Sequence, residues 1–187
     1  MNKSILSAIA LAFAFAMPVS AQDGLLKKYA QRLSTPRHYV CYRTNEKIKI
    51  DGKLNEKSWA KAADTESFVD ISGDGFPKPI YDTKARMMWD DEYLYVSAVM
   101  EEPNIVANLT QRDTIIYHDN DFEVFLDPTG DGQCYFEIEN NARGVVFDLM
   151  LDRAYRSGGN FYIQWDCPGL KLAVQHDGTL NKPKDKD

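Results

Sequence analysis

The feature that most constrains the fold of this chain is the alternation of side-chain types at Ala85–Val99. Ala85, Met87 and Trp89 alternate with more polar neighbours, and the turn at Asp90–Glu92 leads into a strand rich in Tyr and Val. A period of two is typical of a half-buried antiparallel strand pair. We therefore expect a β-hairpin here, with Trp89 packed in the core.

A second strand with unusual chemistry follows at Phe122–Leu126, inside the segment His118–Gly132. Five acidic side chains lie in or beside it: Asp119, Asp121, Glu123, Asp127 and Asp131. Carboxylates are rarely buried unless they bind a metal or accept hydrogen bonds from a polar ligand. The segment is therefore a candidate binding site.

The remaining pattern consists of short strands separated by turn residues. Further strands are predicted at Tyr39–Arg43, Lys47–Ile50, Phe68–Ile71, Cys134–Glu139, Val145–Leu151 and Lys171–His176. Short helices are predicted at Gln22–Leu33 and at Leu54–Ala62, where Trp59 is the apolar anchor. Many short strands with turns between them indicate an all-β fold, an antiparallel β-sandwich with short N-terminal helices.

Three motifs in order resemble the family 9 carbohydrate-binding modules and their DOMON-like relatives. They are IKIDGKLNEKSWAKA at Ile48–Ala62, ARMMWDDEYLYV at Ala85–Val96 and the acidic strand at Phe122–Leu126, with WDCPGL at Trp165–Leu170 as a further match. The resemblance runs from Ile48 to the last residue. It implies a jelly-roll-like β-sandwich that binds a mono- or oligosaccharide without hydrolysing it.

The resemblance also implies a sugar site. The family places an aromatic platform six residues before a hydrogen-bonding Glu, and these positions are Tyr117 and Glu123 here. Trp165 is a candidate replacement platform. Arg86 is a candidate contact to Glu123 or to a sugar hydroxyl, although a surface ion pair explains it equally well.

The chain departs from the family pattern on the strand Cys134–Glu139. Where the family carries an Arg and an Asn, this chain has Glu137 and Glu139. The second aromatic of the family lies beyond residue 187, and so do the family's last strands. We therefore expect an incomplete sandwich and a weaker or different sugar preference.

Calcium is the candidate cofactor, because members of the family bind it structurally. The segment Asp127–Gly132 imitates the first half of an EF-hand loop, but the position of the bidentate Glu is occupied by Ile138. An EF-hand is therefore excluded. A structural Ca²⁺ held by Asp119, Asp121, Asp127 and Asp131 is the expectation, and a plain turn is the alternative.

The N-terminus has the features of a secretory signal. Lys3 precedes the apolar stretch Ile5–Met17, and Val19–Ala21 supplies the small residues of a cleavage site. The predicted organisation is a signal peptide over residues 1–21, a leader and first strand over 22–47, and the binding domain over 48–187. The apolar stretch is too short to span a bilayer, so we expect a secreted or periplasmic protein without stable membrane insertion.

Charge and cysteine content exclude further classes. The net charge of −6 disfavours nucleic acid as a partner, because such binding depends on neutralising phosphates. Cys41, Cys134 and Cys167 allow at most one disulfide, and their spacing suits neither zinc nor a redox pair.

Other functions remain as alternatives. One is a haem-binding, DOMON-type electron-transfer domain, and another is a hydrolase-associated remnant without its own ligand. Candidate axial haem ligands are Met88 or Met100 with His118 or His176. A glycosidase would use two carboxylates from Glu123, Glu137 and Glu139, but nothing in the sequence marks one with a raised pKa. We expect no catalytic activity.

Overall fold

The structure, a computed structural model, describes Lys27, residues 37–73 and residues 75–182. Among the described residues, Lys27 and 37–39 belong to one compact unit and 40–73 with 75–182 to a second. The strands belong to the second unit: β1 (Tyr42–Arg43), β2 (Thr83–Trp89), β3 (Leu94–Met100), β4 (Asp121–Leu126), β5 (Gln133–Asn141), β6 (Val146–Arg153) and β7 (Phe161–Tyr162).

Two sheets make up this unit, one with the order β1-β2-β3 and the other with the order β4-β5-β6-β7. The pairing is antiparallel except between β1 and β2, which run parallel. The predicted all-β sandwich is confirmed. No helix within residues 37–73 and 75–182 is long and apolar enough to cross a membrane.

The predicted hairpin is the pair β2 and β3, which is confirmed with Ala85 opposite Ala98. Its turn is closed by Asp90, whose Oδ1 accepts the backbone N–H groups of Glu92 and Tyr93, each at 2.8 Å. The Tyr95 hydroxyl donates to the second oxygen of Asp90 at 2.7 Å. Local side-chain bonds of this kind favour a tight turn.

The buried face of the hairpin differs from the prediction. Met88 is 2% exposed and packs against Ile48 and Trp59, so the expectation that Trp59 lies in the core is confirmed. The expectation for Trp89 is wrong, because 41% of it is exposed. Its indole N–H donates to the carbonyl of Cys41 at 3.2 Å, which holds the ring beside β1 instead of in the core.

The predicted helix at Leu54–Ala62 is a series of turns. Ser58 explains this difference, because both its N–H and its hydroxyl donate to the carboxylate of Glu46 at 2.8 Å. A side chain that binds backbone groups in this way competes with regular helical bonds. The predicted helix at Gln22–Leu33 lies outside the described residues apart from Lys27, which is helical.

Three predicted strands, at Lys47–Ile50, Phe68–Ile71 and Lys171–His176, are extended or irregular segments. Phe68 nevertheless donates its N–H to the carbonyl of Thr83 at 3.0 Å, so this segment runs beside β2. The strands predicted around the acidic segment and after it correspond to β4, β5 and β6 and are confirmed.

The core of the four-stranded sheet holds in place the segment that precedes β4. Ile116, Leu149 and Leu151 are at most 1% exposed and form one cluster with Phe147. Each such side chain contributes roughly 1.5–3 kcal/mol by leaving water. Ile116 begins a short 3₁₀ turn, Ile116–His118, so its burial anchors the neighbouring Tyr117.

Asp119 joins the segment before β4 to the end of β5. Its two oxygens accept the N–H groups of Asn108 and Leu109 and the side-chain amide of Asn141, each at 2.9 Å. Burial raises the pKa of Asp119, but these hydrogen bonds outweigh it and lower that pKa overall. The carboxylate is therefore a structural acceptor in its ionised form.

We expect Asp119→Asn to lower the free energy of unfolding by about 1–3 kcal/mol, because an amide N–H₂ would face donors where the carboxylate accepts. Denaturant unfolding monitored by circular dichroism measures the change. Asp177→Asn is the matched control, since Asp177 is exposed, and its effect should stay within about 0.5 kcal/mol. Equal stabilities of the two variants would contradict the role given to Asp119.

Gly52 lies where two backbone segments meet. Its φ is +78°, and a Cβ there would stand 2.8 Å from the backbone nitrogen of Gln175. Gly130 has a similar φ of +70° but open space around it. The two positions therefore share the left-handed conformation and differ in crowding.

We expect Gly52→Ala to be less stable than Gly130→Ala by about 1–3 kcal/mol, the range for forcing extra atoms into a packed site. Both substitutions carry the left-handed strain of about 1–2 kcal/mol, which the comparison removes. Thermal and denaturant unfolding of the two variants side by side provide the measurement. A smaller effect at Gly52 would show that residues 174–175 move aside freely.

Candidate functional site

Four carboxylates gather on one face of the four-stranded sheet. Side chains alternate between the faces of a strand, so Asp121 and Glu123 of β4 share a face with Glu137 and Glu139 of β5. Glu123 stands directly opposite Glu139. We call this set of four residues the acidic face.

Three members of the acidic face lie very close together. One carboxylate oxygen each from Asp121, Glu123 and Glu139 lies within 4.8 Å of the other two. Glu139 is only 2% exposed, whereas Glu123 is exposed to solvent. Asp121 Oδ2 and Glu139 Oε2 are buried and have no hydrogen-bond partner.

The crowding changes the acidity of these groups. Burial, reinforced by Glu123 and other carboxylates, raises the pKa of Glu139 to about 8. Burial and the charge of Glu123 raise the pKa of Asp121 to about 6. Desolvation and like-charge repulsion both disfavour the ionised form. Nothing in the sequence indicates the raised pKa values of Asp121 and Glu139.

Glu137 belongs to the same face but has a partner. It is 5% exposed, and the hydroxyl of Tyr155 donates to its Oε2 at 2.7 Å. Burial raises the pKa of Glu137, while the bond from Tyr155 opposes the shift. Glu137 is thus held in place by its neighbour.

Exposed aromatic rings lie on the acidic face and in the turn that leads into β4. Tyr117 is 59% exposed and lies in the turn just before β4. Phe125 shares the face of Glu123 by alternation and is also exposed. Tyr155, which bonds Glu137, is exposed and lies 6.4 Å from Phe161, centroid to centroid. The face thus combines carboxylates with accessible ring surfaces.

Of the four residues predicted to bind carbohydrate, the structure places Tyr117 beside β4 and Glu123 on it, and it places the other two elsewhere. Arg86 is on the three-stranded sheet, where its guanidinium donates to Asp64 at 2.5 Å and to the carbonyl of Trp59 at 3.3 Å. These hydrogen bonds give Arg86 a structural role. The sugar contact of Arg86 therefore receives no geometric support.

Trp165 packs on the opposite face of the four-stranded sheet. Its ring stacks on Phe136 with centroids 4.5 Å apart, and Phe136 alternates with Glu137 along β5. Stacked rings at this distance are a packing contact. Trp165 is therefore not brought together with Tyr117 and Glu123.

The four aspartates predicted to hold calcium do not form one group within the described residues. Asp119 has the three partners given above. Asp127 accepts the N–H groups of Gly130 and Gly132 at 2.9 Å and 2.7 Å, and Asp131 accepts that of Gln133 at 3.0 Å. These bonds are typical of a turn. Only Asp121 lies in a group of carboxylates close enough to share a cation.

The sequence marks Glu139 as a departure from the family pattern and as a possible glycosidase carboxylate, but not as a ligand for a cation. The signal in the sequence is the spacing of two residues between Asp121 and Glu123 and between Glu137 and Glu139. Residues spaced by two lie on the same face of a strand. This spacing alone does not give the register between the strands. The pairing of Glu123 with Glu139 therefore had to come from the structure.

A second group of three carboxylates provides a contrast. Asp113, Asp148 and Asp166 also lie close together, and Asp148 is fully buried. Here Arg112 forms ion pairs with Asp148 and, at 2.7 Å, with Asp166. Cys167 donates its N–H to the other oxygen of Asp148 at 2.6 Å. Arg112 thus places a positive charge among these carboxylates, and both oxygens of Asp148 have protein partners.

Comparison with known proteins identifies a family and several relatives. The family described as "Carbohydrate family 9 binding domain-like" matches residues 50–163. Exoglucanase XynX of Acetivibrio thermocellus is 34% identical over 101 residues, which are 53% of this chain and 8% of that protein. Endo-1,4-beta-xylanase C of Paenibacillus barcinonensis is 30% identical over 102 residues, again 53% of this chain and 8% of that protein.

A shorter match of 63 residues, at 35% identity, covers 34% of this chain and 5% of endo-1,4-beta-xylanase A of Thermoanaerobacterium saccharolyticum. The chain thus spans less than a tenth of the length of each of these three relatives. No solved structure matches the chain significantly. Because the family match covers more than half of the sequence, the protein belongs to the carbohydrate family 9 binding domain-like family.

Proposed function

We propose that this protein is an exported, non-catalytic module that binds a mono- or oligosaccharide at the acidic face and serves polysaccharide breakdown. Family membership supports carbohydrate binding. The names of the relatives, an exoglucanase and two xylanases, support the link to polysaccharide degradation. The apolar segment at Ile5–Met17 and the small residues before Gln22 support export.

The observation that carries the proposal is the exposed ring of Tyr117 in the turn that leads into β4, with the exposed carboxylate of Glu123 on that strand. The burial of Ile116 and the hydrogen bonds of Asp119 hold this turn in place. A ring that is already fixed loses little conformational entropy when a ligand binds. Tyr117 therefore suits the platform role better than a mobile loop residue would.

The chemistry of a sugar matches these two groups. One side of a pyranose ring presents C–H groups, which pack against an aromatic ring, and its rim presents hydroxyl donors. An ionised Glu123 accepts such hydroxyls in charge-assisted bonds, which are stronger than neutral ones. Phe125 and Tyr155 are exposed near the same carboxylates and supply further ring surface.

A glycosidase function is less well supported, although the structure supplies a carboxyl with a raised pKa. A general acid must reach the glycosidic oxygen, and Glu139 is only 2% exposed. Of these two carboxyl groups, Glu123 is the accessible one. The face can bind hydroxyl groups without providing the two accessible carboxyls that hydrolysis requires.

We expect Tyr117→Ala to weaken saccharide binding about two- to twelvefold, the equivalent of the roughly 0.5–1.5 kcal/mol that an aromatic contact contributes. Isothermal titration calorimetry with xylo-oligosaccharides and cello-oligosaccharides measures the affinity. Tyr42→Ala is the matched control, because Tyr42 is 64% exposed but lies on β1 of the other sheet. Its affinity should equal that of the wild type.

The proposal fails if the folded wild-type chain binds no saccharide of either series. It also fails in its assignment of the platform if Tyr42→Ala weakens binding as much as Tyr117→Ala. Release of reducing ends by the wild type, abolished in Glu123→Gln, would replace the binding function with a hydrolytic one.

A further inference from the structure

We propose that Asp121, Glu123 and Glu139 form a binding site for a divalent cation, and that the cation is Ca²⁺. This site differs from the group of aspartates that the sequence suggested. It does not rest on saccharide binding, because the cation would bind the free protein. Three observations carry the proposal.

The first observation is the spacing of the oxygens. Ca²⁺ binds oxygens at about 2.3–2.6 Å, so two ligands of one ion lie no farther apart than about 4.6–5.2 Å. One oxygen from each of the three carboxylates falls within 4.8 Å of the others. The antiparallel register, with Glu123 opposite Glu139, holds two of these side chains on neighbouring strands. A rigid sheet thus presents the ligands together.

The second observation is the pair of unpartnered oxygens. Glu139 is 2% exposed, and its Oε2 accepts no hydrogen bond, and the buried Oδ2 of Asp121 accepts none either. Buried polar atoms in native proteins nearly always have a partner. Buried carboxylates in particular are paired with a cation or coordinate a metal. Two orphan oxygens within one cluster indicate a missing ligand of opposite charge.

The third observation is the charge balance. Among the ion pairs of the described residues, none connects Asp121, Glu123 or Glu139 to a lysine or an arginine. The other carboxylate group, in contrast, contains the guanidinium of Arg112. A divalent cation would do for the first group what Arg112 does for the second.

The donor set favours Ca²⁺ among divalent cations. Carboxylate oxygens suit hard cations, and Ca²⁺ accepts six to eight oxygens in a flexible geometry. The three side chains supply part of this number, and water completes it on the side of the exposed Glu123. Mg²⁺ requires a tighter octahedron at about 2.0–2.1 Å and gives up its water reluctantly. Ca²⁺ is therefore expected to bind more tightly than Mg²⁺.

The experiment uses the full chain, freed of metal with EDTA and dialysed. Calorimetric titration with CaCl₂ and thermal unfolding with and without CaCl₂ are the two readouts. We expect one Ca²⁺ per chain and a rise in the melting temperature, since an ion that binds only the folded state stabilises it. MgCl₂ should produce a smaller rise at the same concentration.

Variants locate the ion. Glu139→Gln keeps the size of the side chain and removes one ligand charge, and it should weaken Ca²⁺ binding at least tenfold. Asp121→Asn should do the same and serves as the second test if the first variant does not fold. Asp166→Asn is the matched control from the group that is paired with Arg112, and it should bind Ca²⁺ as the wild type does.

The proposal is overturned if the folded wild type shows neither heat nor a change in melting temperature at millimolar Ca²⁺. It is also overturned if Ca²⁺ binding survives in both Glu139→Gln and Asp121→Asn but is lost in Asp127→Asn, which would move the ion to the Asp127–Gly132 turn. A Mg²⁺ response equal to the Ca²⁺ response would overturn the choice of ion.

Discussion

The antiparallel pairing of β4 with β5 sets Glu123 opposite Glu139, and the special chemistry of this domain depends on that register. A slip of one residue would turn the acidic set toward the other face and bring apolar side chains such as Ile138 into its place. The core cluster of Ile116 and β6 lies on this same face, because Glu137 pairs with Leu149 and Glu139 with Phe147. The carboxylates therefore stand beside buried apolar side chains, which desolvate them in addition to their mutual repulsion.

The sequence predicted those parts of the fold whose periodicity is strong and local. The hairpin of β2 and β3 and the strands β4 to β6 follow from alternation and turn residues. The predictions for Trp89 and for the helix at Leu54–Ala62 were wrong for the same reason, because each residue concerned has a partner distant in sequence. Trp89 donates a hydrogen bond to the carbonyl of Cys41 instead of packing in the core. Ser58 donates to Glu46 instead of taking part in a regular helix. No pattern within a short window contains such partners.

The candidate site was predictable only in part. The family resemblance indicated Tyr117 and Glu123. Both are exposed in the structure, Tyr117 in the turn before β4 and Glu123 on β4. The sequence alone could not exclude Trp165 as a sugar platform. Its position on the other face follows from its stacking on Phe136, which only the structure shows. Burial could not be predicted either, because nothing in the sequences of β4 and β5 indicates that Glu139 is buried while Glu123 is exposed.

The departure of β5 from its family connects the two proposals. Where the family carries an arginine and an asparagine, Glu137 and Glu139 replace a positive charge and a neutral amide with two carboxyl groups. The lost positive charge has to be supplied from outside, because buried like charges repel each other and the sheet cannot separate them. A proton on Glu139 is one solution, and a bound cation is the other. With a cation in place, the Glu123 carboxylate would be fixed on β4, where it can also accept sugar hydroxyls.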